Sequence, residues 1–452
     1  MNDGLVHITE DELAIHAFDP ATTSAHRRAD IERHIAACTD CRQRFDFFMA
    51  ADEDLQDRDV WEPIVGSETF HSLLELGARI AEEDRAAKEL LADFLEMPAK
   101  IAWQNLGAKR DFRTGGVVRT LSARAHDAFA NRPLDALTFA DAAISVAEAL
   151  PEDAYPANGV FELRGTAWKE RANALVRLGD FREAHESLNR AERAYGKLTS
   201  QSFGMATVAL VRAAAYYQQE MLAEAEDMAR KAEIGFAHLG DDDRRMRALH
   251  LRGSIRYEAR DIGAAVELFH RALEYGDALN HHVWIAKAAY ALGNCELERN
   301  NIGEASMHFR RARPLLIQYG PETDRVSTDW GIARVDLAAG KLEPAIRQLQ
   351  TVMGEFEARG MVTDAALAGL DLADAFLLAG RRPEVVAVAS RLLRILAEKG
   401  MLTGALTAFA YLKDAAAAGR LTASGVSAVR TYVRRVERHP NLAFIPPPSM
   451  SR

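Results

Sequence analysis

Three side chains near the start of the chain have the types and spacing of a metal cluster: His34, Cys38 and Cys41, in the pattern His-x3-Cys-x2-Cys. Zn2+ takes four imidazole or thiolate donors in a tetrahedron, and a histidine four residues before a cysteine lies one helical turn away on the same side. The second cysteine then closes in from the following turn. A fourth donor must come from elsewhere. His7 is the first choice, because it stands just ahead of the first expected helix, where the chain can fold back over the second; His16 and His26 are the alternatives. Thiol exchange by Cys38-x-x-Cys41 would need a strand and a βαβ context that this stretch lacks. Exposed zinc thiolates can be oxidised with loss of metal, so redox sensing is a more remote use of the same cluster.

The elements that must hold these donors are short. Thr9-Glu10-Asp11-Glu12 reads as a helix start, with Leu13, Ala14 and Phe18 as its apolar side. After the Asp19-Pro20 break, a second helix is expected from about Ala25 to Ala37, carrying Ile31 and Ile35 inward. A third, from near Asp40, sets Phe45, Phe48 and Met49 on one side. Fifty residues bury little surface, so a metal cross-link would be physically useful.

His7, the Glu12-Leu13 helix and His34-x3-Cys38-x2-Cys41 together resemble the zinc-binding anti-sigma-factor domain of bacteria over roughly the first 50 residues. The resemblance implies one structural Zn2+ held by His7, His34, Cys38 and Cys41, and a module that clamps a sigma factor away from RNA polymerase. Membrane-bound relatives carry a transmembrane helix after the domain, and this chain has none.

Charge points the same way. Residues 1–51 carry nine acids and five bases, and residues 52–96 fourteen and four, whereas the remainder holds 43 acids and 47 bases. An acidic surface repels phosphate, so direct nucleic-acid binding by this end is disfavoured and a basic protein partner would be steered to it. At 48% hydrophobic and 27% charged residues the chain can build a core, and no run of 18 apolar residues crosses a bilayer. The opening Met1 to His7 has neither a basic nor an apolar export region, so the expected compartment is the cytoplasm, with no membrane partner. Residues 52–66 read as an acidic linker, and Phe70 to Leu95 as a helix pair or one long amphipathic helix, a candidate contact surface.

From Phe161 onward the sequence repeats. The anchor reads Gly179-Asp-Phe-Arg-Glu-Ala184, Glu220-Met-Leu-Ala-Glu-Ala225, Arg260-Asp-Ile-Gly-Ala-Ala265, Asn300-Asn-Ile-Gly-Glu-Ala305, Gly340-Lys-Leu-Glu-Pro-Ala345 and Gly380-Arg-Arg-Pro-Glu-Val385. The intervals are 41, 40, 40, 40 and 40 residues. Twelve residues ahead of each anchor end stands a small residue: Ala172, Ala213, Gly253, Gly293, Ala333 and Ala373. Each period is a helix, a turn and a second helix. With Trp168, Ala172, Leu175, Gly179, Phe181, Ala184, Leu188 and Ala191 in place, this resembles the tetratricopeptide repeat with a lengthened period. A divergent unit is expected at 117–150, capping helices near 402–417 and 424–437, and an extended tail at Pro446 to Pro448.

The fold expected is therefore all-α: a zinc-stapled helical domain (1–51), an acidic linker with amphipathic helices (52–116), a solenoid of tetratricopeptide type (117–417) and a capping helix with tail (418–452). Stacked helix pairs form a superhelix whose first helices line the concave side, the partner-binding side in that family. The offsets place Lys169, Asn173, Arg177, Tyr217, Arg247, His250, Tyr257, Lys287, Tyr290, Asn294, Trp330 and Arg334 there. Arginine and aromatic residues dominate binding hot spots, so a groove of net positive character should take an acidic or C-terminal peptide. Cys295 reads as a small buried side chain. The sequence contains no G-x-x-x-x-G-K-[ST], G-x-S-x-G or H-E-x-x-H, and no strand leading into G-x-G-x-x-G, so catalysis is not expected. The expected function is a non-enzymatic regulator that holds a sigma factor on the zinc module and receives a peptide or protein signal on the solenoid. The alternative is an interaction scaffold whose zinc serves folding only.

Overall fold

The computed structural model describes Ile8, residues 12–13, 16–17, 25–39, 41–46, 49, 68–96, 106–129, 131–198, 202–398, 403–436 and 442–446. No strand occurs among them. His7, most of the Thr9 to Phe18 helix, Phe48, the 52–66 linker, Pro447 and Pro448 lie outside the described residues, as does the side chain of His26. The chain divides into two compact units, Met1–Ala92 and Asp93–Arg452.

In the first unit, α1 (Ala25–Ala37) ends just before the cysteines, and α2 (Glu68–Glu96) is one uninterrupted helix rather than a pair. Among the described residues, the core around these cysteines is Ile8, Leu13, Ile31, Cys38 and Cys41, with Ile35 and Phe45 against it. Arg42 reaches back to the open carbonyl end of α1, donating to Ile35 O (3.2 Å) and Ala36 O (2.7 Å). Arg27 holds the preceding segment through Glu12 at 2.7 Å. On α2, Ala87 and Leu91 are buried, whereas Leu73 and Leu74 are 61% and 56% exposed.

The second unit starts with α3 (Gly115–Ala128) and α4 (Pro133–Ala149), the divergent pair. Five regular pairs follow: α5 (Gly159–Leu178) and α6 (Phe181–Tyr195), α7 (Ser202–Gln218) and α8 (Leu222–His238), α9 (Asp242–Glu258) and α10 (Ile262–Ala278), α11 (His282–Glu298) and α12 (Ile302–Tyr319), α13 (Glu322–Ala338) and α14 (Leu342–Ala358). A sixth pair, α15 (Val362–Leu378) and α16 (Arg382–Glu398), precedes α17 (Thr403–Ala417) and α18 (Ala423–Val436). This is a solenoid of tetratricopeptide type.

Every anchor opens on a left-handed residue, which reverses the chain between paired helices: φ is +80° at Gly179, +60° at Glu220, +64° at Arg260, +60° at Asn300, +74° at Gly340 and +72° at Gly380. Asp180 and Asp261, the next residues, accept from the backbone N–H of Glu183 and Ala264, satisfying a donor at the start of the second helix. At four of the six anchors the small residue twelve before the anchor end is matched by a large one four after it. Gly253 and Gly293 face Phe269 and Phe309, where an added Cβ would lie 2.7 and 2.8 Å from the rings. Where the first residue is Ala172 or Ala333, the core partner four after the anchor is Leu188 or Leu349.

The register breaks at the end. Each earlier second helix packs on the first helix of its own pair and on the next, but α18 packs on α17, the first helix of its own pair, and back on α15, that of the preceding pair. It buries Val426, Val429, Tyr432, Val433 and Val436 there. The 442–446 segment follows it, with Tyr432 Oη donating to Leu442 O at 3.0 Å and Phe444 against Tyr411 and Tyr432.

Candidate functional site

The three candidate donors come together as the spacing requires. The ligand atoms of His34, Cys38 and Cys41 all lie within 4.8 Å of one another. Both cysteines are buried, and the backbone N–H of Cys38 still bonds His34 O at 2.8 Å, so the helical geometry that aligns the first two donors runs through to the first thiol. Zinc with bonds of about 2.0–2.3 Å sets its donors roughly 3.5–4 Å apart, so this trio needs only a small contraction to bind. Two thiols and an imidazole in an apolar shell fit zinc, which takes such donors tetrahedrally. His16 is placed against the Phe45 ring (centroids 5.5 Å) and does not join the trio.

The solenoid carries a cavity of about 410 Å³ on its first-helix side. Six of the twelve residues expected on that side line it: Tyr217 from α7, His250 and Tyr257 from α9, and Lys287, Tyr290 and Asn294 from α11. The chemistry is mainly aromatic. His250 meets Phe269 and Trp284 edge-on (5.2 and 5.3 Å), and burial, aided by the charge of Lys287, pushes it down to about 4, so it is neutral. Burial and then the neighbouring Glu298 push Tyr257 up to about 12, and burial raises Tyr290 likewise, so both stay phenolic. Lys287 Nζ lies 4.8 Å from the Trp284 ring centroid.

The other six expected residues are placed elsewhere or are engaged. Lys169 pairs with the buried Glu170, and Asn173 Nδ2 donates to the other oxygen of that carboxylate at 2.8 Å. Burial raises Glu170, but the hydrogen bond with His126 and the attraction of Lys169 outweigh it and hold it at about 2. Arg177 is exposed. Arg247 pairs with Asp243 at 2.7 Å. Trp330 Nε1 donates to Asp371 at 2.7 Å, and Arg334 donates to Asn294 Oδ1 at 2.9 Å. Asp371 also receives Arg430 from α18 (2.9 Å), which pairs with Asp374 as well. Trp330 and Arg334 thus belong to an internal network that α18 completes.

The cavity also holds residues that the offsets did not single out, among them Ser254, Phe269, Asp324 and Ser327. Ser254 shares its repeat position with Asn294 and Arg334, and Ser327 shares that of Arg247 and Lys287, so the period contained them. The expected net positive character is not what lines the cavity: Lys287 faces it with Asp324 for company. Cys295 is fully buried, and burial pushes its thiol up to about 12, in keeping with a packing role.

No family model matches the chain. No curated protein matches it either. Among solved structures, a Rap protein complexed with competence and sporulation factor superposes with a TM-score of 0.54 at 13% identity, covering 72% of this chain and 88% of that one. Aspartyl phosphate phosphatase F from Bacillus subtilis superposes with a TM-score of 0.50 at 14% identity, covering 87% and 96%. The likeness is one of fold. No helix among the described residues is long and apolar enough to cross a membrane.

Proposed function

We propose that the chain is a non-enzymatic regulator that acts by binding proteins: the solenoid takes a peptide or protein segment in its first-helix cavity, and the zinc module holds a partner of the sigma-factor kind. The observation that carries the first half is the convergence of six periodically spaced residues, from three successive first helices, on one aromatic cavity. A solenoid of the same fold in complex with competence and sporulation factor supplies a precedent for ligand binding. The second half is supported by the His34, Cys38 and Cys41 trio, by the acidic charge of residues 1–96 and by the exposed Leu73 and Leu74 on α2, an apolar pair available to a partner. Bound zinc would supply the cross-link that this small core lacks. Cys38 and Cys41 would contribute thiolates from the end of α1, His34 its imidazole, and His7 the fourth donor.

The test uses the full chain. It should carry one zinc per molecule and retain a sigma factor from the same cell on a pull-down, and His34→Ala should abolish both while leaving the solenoid's helical signal intact. Retention of the same partners by His34→Ala would favour a scaffold in which zinc serves folding alone.

A further inference from the structure

The chemistry of the cavity says more about its occupant than that it is a peptide. Lys287 and Asp324 both line it, and neither has an ion pair among the described residues, in a solenoid where many arginines are paired across neighbouring helices. Both are half-buried beside an aromatic wall, where opposite charges on a ligand could pair with them. The same lining includes the apolar faces of Tyr217, Phe269, Tyr290 and Leu316. The lining spans four successive first helices, α7, α9, α11 and α13. At interhelical steps of about 8–10 Å the footprint is on the order of 25 Å, the reach of seven or eight extended residues and well beyond a free amino acid.

We infer that the cavity takes an extended peptide in which an apolar side chain is flanked by one acidic and one basic group, the acid on Lys287 and the base on Asp324. The inference rests on the solenoid reading above and specifies its ligand. Neutral His250 and the phenolic tyrosines add hydrogen-bonding partners for peptide amides without adding charge. The two charges fix direction, because a peptide threaded backwards would set like charge against like.

Four pools of fluorescein-labelled octapeptides test this against the full chain by anisotropy. All have randomised apolar centres; their flanks carry acid then base, base then acid, two acids or two bases. One mixed-charge order should bind at least tenfold more tightly than the other three pools. Lys287→Met and Asp324→Asn, both checked for unchanged helical signal and melting temperature, should each remove that advantage. The double exchange Lys287→Asp with Asp324→Lys should transfer the preference to the opposite order. Equal or tighter binding of the two-acid pool, unaffected by Asp324→Asn, would overturn the charge assignment while leaving the peptide groove standing. No binding by any pool to a folded chain would overturn both.

Discussion

Residue by residue, the cavity is defined by what it does to protonation. His250 is held at about 4, below the ordinary 6.5, so the unfolded chain binds its proton more readily than the folded one. The stability contributed by the neutral ring is complete above about pH 6.5 and is lost as pH falls towards 4. A shift of that size corresponds to a few kcal/mol, on the order of 3. Wild type should therefore lose more melting temperature between pH 7 and pH 5 than His250→Asn does, with His185 and His308, also lowered, accounting for the slope that remains. The convergence of His34, Cys38 and Cys41 was legible in the sequence because one helical turn and the bend after it bring them together, so no long-range packing is needed to predict the trio. Asp324 was not legible, because it reaches the cavity from a turn of its helix one step earlier than the offsets that mark Lys287 and Tyr290.

In the helix pairs, fold is a matter of matched sizes and one backbone reversal. Gly293→Ala would put a methyl 2.8 Å from the Phe309 ring, which Gly331 also approaches, and should cost about 1–3 kcal/mol by overpacking. Adding Phe309→Leu copies the Ala333 and Leu349 combination one repeat further along the solenoid, and should recover part of the loss, a coupling that a double-mutant cycle in urea will measure. Gly340→Ala has open space for its methyl but keeps φ at +74°, so it should cost about 1 kcal/mol with no rescue by a core change. The forty-residue period made all of these positions readable. It ends at the Val385 anchor, and the turn of α18 onto two first helices was not readable from it. With α18 went the engagement of Trp330 and Arg334, which meet Asp371, itself bound by Arg430 from 59 residues further along the sequence. Arg430→Met leaves Asp374 without its guanidinium and Asp371 with only Trp330 and Arg334 among the described residues; it should release α18, seen as faster amide exchange across 423–436.

Over the whole molecule, two compact units with different sources of stability should unfold separately. Solenoid stability is a sum of neighbouring helix-pair contacts, whereas the N-terminal module has a small core, five buried residues among those described, with the proposed donor trio beside it. Chelator, or Cys41→Ser, should therefore remove a low-enthalpy calorimetric transition and leave the main one in place. A single transition shifted as a whole by chelator would contradict this division. Charge divides the chain likewise: the acidic excess lies in residues 1–96 and the remainder is slightly basic. A partner drawn to the first unit by that charge should bind more weakly as salt rises from 50 to 300 mM, since exposed charges are screened beyond about 10 Å at 0.1 M.

The central claim is that the first-helix cavity is where this protein meets its ligand. Amide exchange of the full chain, with and without the best-binding mixed-charge octapeptide pool, tests it most directly. Slowed exchange should concentrate in α9, α11 and α13, around His250, Tyr290 and Asp324, and disappear with Lys287→Met. Protection confined to the second helices α10, α12 and α14, or to residues outside the solenoid, would contradict the account.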